Sequence, residues 1–180
     1  MRGTVKFLGV LATAFVVMLA FRGLVMTVCT IEGSGLEPQF ISGDRVVINR
    51  WSYGLRTGQK GSLFDYGRIC RQAVTKGDLI AFEDSLGQIL ICRCAALPGD
   101  TVYHTKGQAP CVVPGLTNCA DQNYYWVEAI GKNNVLSSRQ LGFIPEDHII
   151  GRACLILYSH DPSEPFWKGY RSDRFLLPKR

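Results

Sequence analysis

The sequence is poor in histidine and lacks metal-ligand spacing. Its 180 residues hold only three histidines, His104, His148 and His160, far apart in the chain. Seven cysteines are present, Cys29, Cys70, Cys92, Cys94, Cys111, Cys119 and Cys154, but no two form a C-x-x-C pair. A structural zinc site is therefore unsupported, and neither a metal nor another cofactor is expected. The basic residues are scattered and not interleaved with aromatics, so a net charge of +5 points to no nucleic-acid partner. Repeats and low-complexity segments are absent, which argues against a solenoid or a disordered linker. Beyond residue 30 no long stretch keeps a helical period, which argues against a helical bundle.

What is present is uneven. "VKFLGVLATAFVVMLAF", from Val5 to Phe21, has Lys6 as its only charge; Arg22 interrupts it, and "GLVMTVCTI" continues the apolar run. A spanning helix needs roughly 20 mostly apolar residues. The stretch reaches that length if the helix runs on past Arg22 and the side chain snorkels to the interface. A cleaved signal peptide and a buried soluble helix are the competing readings. The run is long for the first, and no small-x-small cleavage site follows it. An uncleaved single-pass anchor is favoured. Arg2 and Lys6 place the N-terminus in the cytoplasm and the remainder outside the cytoplasmic membrane. The chain ends in "KGYRSDRFLLPKR". That basic tail suits anionic lipid head groups, with a solvated charged tail as the plainer alternative.

Short runs rich in Val, Ile, aromatic residues and Cys follow the anchor: "RVVINRW" (45–51), "DLIAFED" (78–84), "QILICRCAAL" (88–97), "YYWVEA" (124–129) and "IIGRACLILY" (149–158). Gly, Pro, Asp and Asn punctuate them. A mainly β, antiparallel barrel-like or sandwich body is expected. The segmentation is a short basic N-terminus (1–6), a transmembrane anchor (7–29), a β domain (30–160) and a basic tail (161–180). "YGLRTGQKGSLFDYGRIC" is glycine-rich and weakly patterned, and reads as a surface loop. Cys92 and Cys94 share one face if their segment is a strand, and read as small buried hydrophobes. Cys111 and Cys119 bracket a turn-rich loop and are the best disulfide candidates in an oxidising compartment.

Gly-Asp occurs before two apolar runs, in "SGDRVVIN" and "KGDLIAF", and after a third, in "ALPGDTV". Each alone is ordinary turn chemistry: glycine takes positive φ, and aspartate bonds backbone two residues on. Their order carries more. An anchor is followed by Gly33-Ser34-Gly35-Leu36-Glu37-Pro38 leading to Gly43-Asp44, then by Gly77-Asp78-Leu79-Ile80-Ala81-Phe82. Cys92-Arg93 leading to Pro98-Gly99-Asp100 comes next, and then Gly131-Lys132-Asn133 leading to Ser138-Arg139, Gly142 and Pro145. This succession resembles the bacterial type I signal peptidases, whose boxes run S-x-S-M-x-P…G-D, G-D-x-V-x-F, K-R…P-G-D and G-D-N…D-S-R…G-x-V-P. The likeness extends from end to end of the chain.

The resemblance implies a signal-peptidase-like antiparallel β body behind a single N-terminal transmembrane helix. It implies a serine endopeptidase that removes signal peptides with a serine–lysine dyad at the outer face of the cytoplasmic membrane. Serine needs an adjacent base, and lysine serves only if burial leaves the neutral amine available near pH 7. Those groups are missing here. Leu36 holds the methionine position of the first box, so Gly35 holds the nucleophile position; the family's other serine falls on Gly33. Arg93 is present, but Cys92 stands where the lysine belongs. The last box is about two residues shorter than the pattern it resembles. With the gap before Asn134, Val135 replaces an orienting serine and Ser137 an aspartate, while Ser138 and Arg139 remain. The retained turn Leu36-Glu37-Pro38 would face substrate.

A catalytically inactive member that binds peptide or a partner fits this pattern. Signal peptides or preproteins, another signal peptidase, and membrane lipid are the expected partners. The alternative is an active peptidase with a rearranged site around Ser34, whose flanking glycines permit an altered turn; the plainer role for Ser34 is a turn hydroxyl. Cys92 is the only ionisable group at the base position, and the sequence nominates no histidine to activate it.

Overall fold

The computed structural model describes residues 2–58, 66–103, 109–118, 120–131, 137–165 and 167–178. An N-terminal helix, α1 (Arg2–Leu24), leads directly into strand β1 (Met26–Thr30). Residues 26–29, which the apolar run assigned to the anchor, are thus extended: all five residues of β1 pair antiparallel with β2 (Asp44–Asn49). Among the described residues no helix is long and apolar enough to cross a membrane, so the single-pass anchor expected from the sequence gains no support there.

The body is mainly β, as expected. Its strands continue with β3 (Leu55–Arg56), β4 (Arg68–Ile69), β5 (Leu79–Glu83), β6 (Ile89–Ala96), β7 (Thr101–Val102), β8 (Cys111–Val112), β9 (Tyr124–Glu128), β10 (Ile144–Pro145), β11 (Ile149–Ser159) and β12 (Leu177–Pro178). One antiparallel sheet runs β1-β2-β11-β5-β6-β9-β10, with β12 also on β11; β3–β4 and β7–β8 are two-stranded ribbons. The long β11 changes register twice against β2 and once against β5. Such bulges add bend and twist and so let one sheet curl around a core. Alternate residues of β6 serve two apolar clusters. Cys92 and Cys94 pack with Ile80, Phe82 and Val127, whereas Ile91 packs with Ile31, Phe40 and Val46. Both cysteines are the small buried hydrophobes expected of them. The Cys111–Cys119 pairing lies outside the described residues, because Cys119 does.

Two segments are less superficial than their composition suggests. Tyr53 and the Arg68 side chain, at the two ends of the glycine-rich stretch, are buried. Arg68 donates to the carbonyls of Gly54, Glu146 and Ile149 at 3.1, 2.7 and 2.6 Å. Burial of so polar a side chain is tolerated because its donors are paired. Residues 59–65 of that stretch lie outside the described residues. The basic tail also folds back rather than trailing in solvent. Arg174 is buried against Asp44, and Arg171 donates to the Ser42 carbonyl at 3.1 Å.

The three Gly-Asp pairs build one device three times. In Ile41–Asp44, Thr75–Asp78 and Leu97–Asp100 the last N–H donates to the first carbonyl, at 3.0, 3.2 and 3.0 Å. The glycine before each aspartate has φ of +92°, +92° and +90°, a conformation that favours glycine. Each carboxylate accepts the N–H three residues back, at 2.9, 3.2 and 2.7 Å, rather than one two residues ahead. The turn itself dictates this, since it brings the first N–H beside the fourth side chain. Each turn then grips a neighbouring segment. The glycine N–H donates to the carbonyl of Ile31, Cys94 or Val113, and the aspartate carbonyl accepts that residue's N–H.

Candidate functional site

A cleft of about 540 Å³ opens between two stretches of extended chain. One wall is residues 29–32 with Gly35 and Leu36; the other is residues 88–92. The sequence alone separates Gly35 from Cys92, and the fold brings both to this cleft. Two of the Gly-Asp turns brace it. The Gly43-Asp44 turn grips Ile31 in the first wall, and the Gly77-Asp78 turn grips Cys94, two residues beyond the second.

Both walls leave backbone unpaired. Among the described strands β1 is outermost and pairs only with β2. β6 pairs along its length with β5, but β9 joins its other side only from Arg93 onward. Among the described strands, none pairs with residues 89–91 on that side. Unpaired strand edges are templates for an added strand.

The turn that carries Gly35 is held on several sides. Phe40 is fully buried and donates its N–H to the Leu36 carbonyl at 3.1 Å, while Glu37 N–H reaches the Ser34 carbonyl at 3.3 Å. Leu36 packs with Ile130 against the cluster around Ile31 and Phe40. Gly131 closes over the turn so tightly that a Cβ there would lie 2.1 Å from the Gly35 carbonyl oxygen and 2.8 Å from that of Glu37. Any side chain at 131 would displace the turn. Arg174, from the C-terminal segment, donates to the Gln39 carbonyl at 2.9 Å and to both Asp44 oxygens, at 3.2 and 2.6 Å. Burial raises the Asp44 carboxyl, but hydrogen bonds from Arg174, Ser159 and the Ile41 N–H outweigh it and hold the group below the usual carboxylate range. The motif order marks Gly131 without revealing its task, and nothing in the sequence singles out Arg174, because both contacts are made only across the fold.

Cys92 is fully buried, and its thiol is pushed up to about 12 by burial. At neutral pH the thiol is therefore overwhelmingly protonated. A group so rarely ionised is neither a useful nucleophile nor a base. Ser34 is exposed and is not among the residues that line the cleft. Glu37 and Pro38 are exposed beside it and also stand outside the lining.

Ser138 and Asp78, retained from the motifs, hold structure outside the lining of the cleft. Ser138 is fully buried, and its hydroxyl accepts the Val127 N–H at 2.8 Å. Ser137, at the start of helix α2 (Ser138–Leu141), forms a capping box with Gln140. Arg139 is exposed on that helix, and Arg93 occupies the register position opposite Glu128. Asp78 joins Tyr53, Thr75 and Arg152, with the Tyr53 hydroxyl donating at 2.9 Å. Val135 lies outside the described residues. Among the described residues no group of three His, Cys, Asp or Glu side chains could hold a metal ion.

Comparison with known proteins bears on the same stretch of chain. The model of the family described as "Signal peptidase, peptidase S26" matches residues 4–111, a span that includes both walls of the cleft and the first three boxes. The "Probable signal peptidase I-2" of Synechocystis sp. is 26% identical over 161 residues, covering 79% of this chain and 68% of that protein. The match over more than half of the chain shows that it belongs to the signal peptidase family, peptidase S26.

Proposed function

We propose that this member of the family binds an extended, apolar peptide segment in the cleft and does not cut it by the serine–lysine mechanism. One observation carries the reading: Gly35 and Cys92, at the positions where the resemblance implies nucleophile and base, both border the cleft, Cys92 with its side chain buried among Ile80, Phe82 and Val127, and neither has the chemistry. Glycine has no side chain, and the Cys92 thiol stays protonated at neutral pH. Essential catalytic groups fail as a unit, and losing them in another serine protease costs on the order of 10⁶ in kcat. The free strand edges support peptide binding by strand addition without needing the dyad.

Membrane attachment belongs to the same proposal. Helix α1 leaves apolar side chains exposed along it, including Phe7, Val10 and Val16. Exposed apolar surface of that kind marks contact with lipid or with another protein. The peptide would then meet the cleft at the outer face of the cytoplasmic membrane, beside β1.

The test is to incubate the detergent-solubilised protein with a purified preprotein and recover the complex. Intact preprotein should co-purify, with no mature product accumulating. Failure to retain the preprotein, or its conversion to mature product, overturns the reading.

A further inference from the structure

The cleft has an electrostatic asymmetry that bears on what occupies it. Among the described residues Glu32 is the one charged residue lining it; around it stand aliphatic side chains such as Leu36, Ile89 and Leu90. Glu32 follows Ile31, which is 6% exposed and turned into the core, and is itself exposed at the cleft. Among the described residues Glu32 makes no ion pair, although the chain carries a net charge of +5 and Asp44, Asp78, Asp100 and Glu146 each have a cation beside them.

From this we infer that the bound segment carries a lysine or arginine among apolar residues, and that Glu32 selects it. The inference rests on the peptide-binding reading above. A segment lying along residues 29–32 would span about 13 Å, or about four extended residues. Its side chains would alternate between the cleft and its mouth. As the segment enters it displaces water from around Glu32, and a carboxylate losing water is destabilised unless a cation replaces it. A lysine at the mouth meets that need with its stem on the apolar wall and its ammonium at Glu32. An acidic residue at the same place is repelled, so one carboxylate both attracts one class of segment and rejects another. Because Glu32 is exposed, the preference is modest: pairs of this kind correspond to at most about fivefold in affinity.

The test uses the full chain in nanodiscs of zwitterionic lipid, so that the bilayer does not itself attract cations. The probes are fluorescein-labelled Ala-Leu-Ala-Lys-Leu-Ala amide and its counterparts with Gln or Glu in place of Lys, read by fluorescence anisotropy. The Lys peptide should bind more tightly than the Gln peptide, by up to about fivefold, and the Glu peptide most weakly. Glu32→Gln should abolish the Lys-over-Gln preference, and Glu32→Lys should invert the order. Leu36→Trp, which fills the cleft, should weaken all three, with circular dichroism confirming that each variant is folded. If the three peptides bind alike and Leu36→Trp abolishes binding, charge selection is overturned while peptide binding stands. If none binds, or Leu36→Trp changes nothing, the peptide-binding reading falls and this inference with it.

Discussion

Replacing Asp44 tests whether the C-terminal segment locks the turn that carries Gly35. The Asp44 carboxylate accepts from the Ile41 N–H at 2.9 Å and from Arg174 at 2.6 and 3.2 Å, with Asp44 fully buried and Arg174 only 9% exposed. Asp44→Ala leaves a buried guanidinium without its counter-ion and the Ile41 N–H without its acceptor. Removing one partner of a buried pair costs about 3–5 kcal/mol. Asp44→Asn keeps an acceptor but loses the charge, and should cost about 1.5–3 kcal/mol. The sign of the pH dependence follows from the lowered Asp44 value. A carboxyl depressed by folding stabilises the protein fully above its unfolded value and loses that contribution as pH falls through the folded one. The gap between wild type and Asp44→Asn should therefore be constant from pH 7 to about pH 5 and close below about pH 4. Guanidinium unfolding followed by tryptophan fluorescence at pH 7, 5 and 3 measures both quantities. A loss under about 1 kcal/mol for Asp44→Ala, or a gap indifferent to pH, refutes the lock.

Three further substitutions or modifications probe the same frame. Gly131→Ala places a Cβ 2.1 Å from the Gly35 carbonyl oxygen and should cost about 1–3 kcal/mol, with faster amide exchange over residues 33–37; unchanged stability and exchange would contradict the close packing. Ser138→Ala orphans the buried Val127 N–H and should cost about 1–3 kcal/mol, read by the same unfolding assay; a neutral outcome would return Ser138 to consideration as a chemical group. Iodoacetamide at pH 8 should modify exposed Cys70 in the native protein and reach Cys92 only after denaturation, as peptide mapping by mass spectrometry would show; equal native rates would refute the raised thiol.

Much of the fold could be read from the sequence because the signal was local. Each of the five apolar runs after residue 30 contains a strand, and the three Gly-Asp pairs all mark turns. What each aspartate does was less legible. A turn of unknown type leaves open which N–H its carboxylate meets, and closure of the turn fixes the N–H three residues back. β1 was hidden because its apolar residues continue a helical run, and only pairing with β2 distinguishes the two. Arg68 and Arg174 read as surface cations, since burial of arginine depends on partners 78 and 130 residues away in the chain. The site was legible only as a set of positions. The sequence shows that Gly35 and Cys92 lack the expected groups, and tertiary structure is needed to put them in one cleft and to leave Ser34 outside its lining.

The separation of fold from chemistry has a physical basis. Turn glycines and aspartates hold the two walls, so their loss would cost stability whether or not the protein cuts anything. Gly35 and Cys92 carry no such duty in these hydrogen bonds. Burial at position 92 would still suit the family's base, because a lysine placed there would be desolvated and its amine kept neutral near pH 7.

Cleavage of a preprotein by the purified, detergent-solubilised chain tests the central claim most directly, with Ser34→Ala and Cys92→Ala assayed beside it. The absence of both nucleophile and base predicts no mature product above the uncatalysed background from any of the three proteins. Robust cleavage by the wild type that disappears in either variant would contradict the account and assign the chemistry to the residue lost.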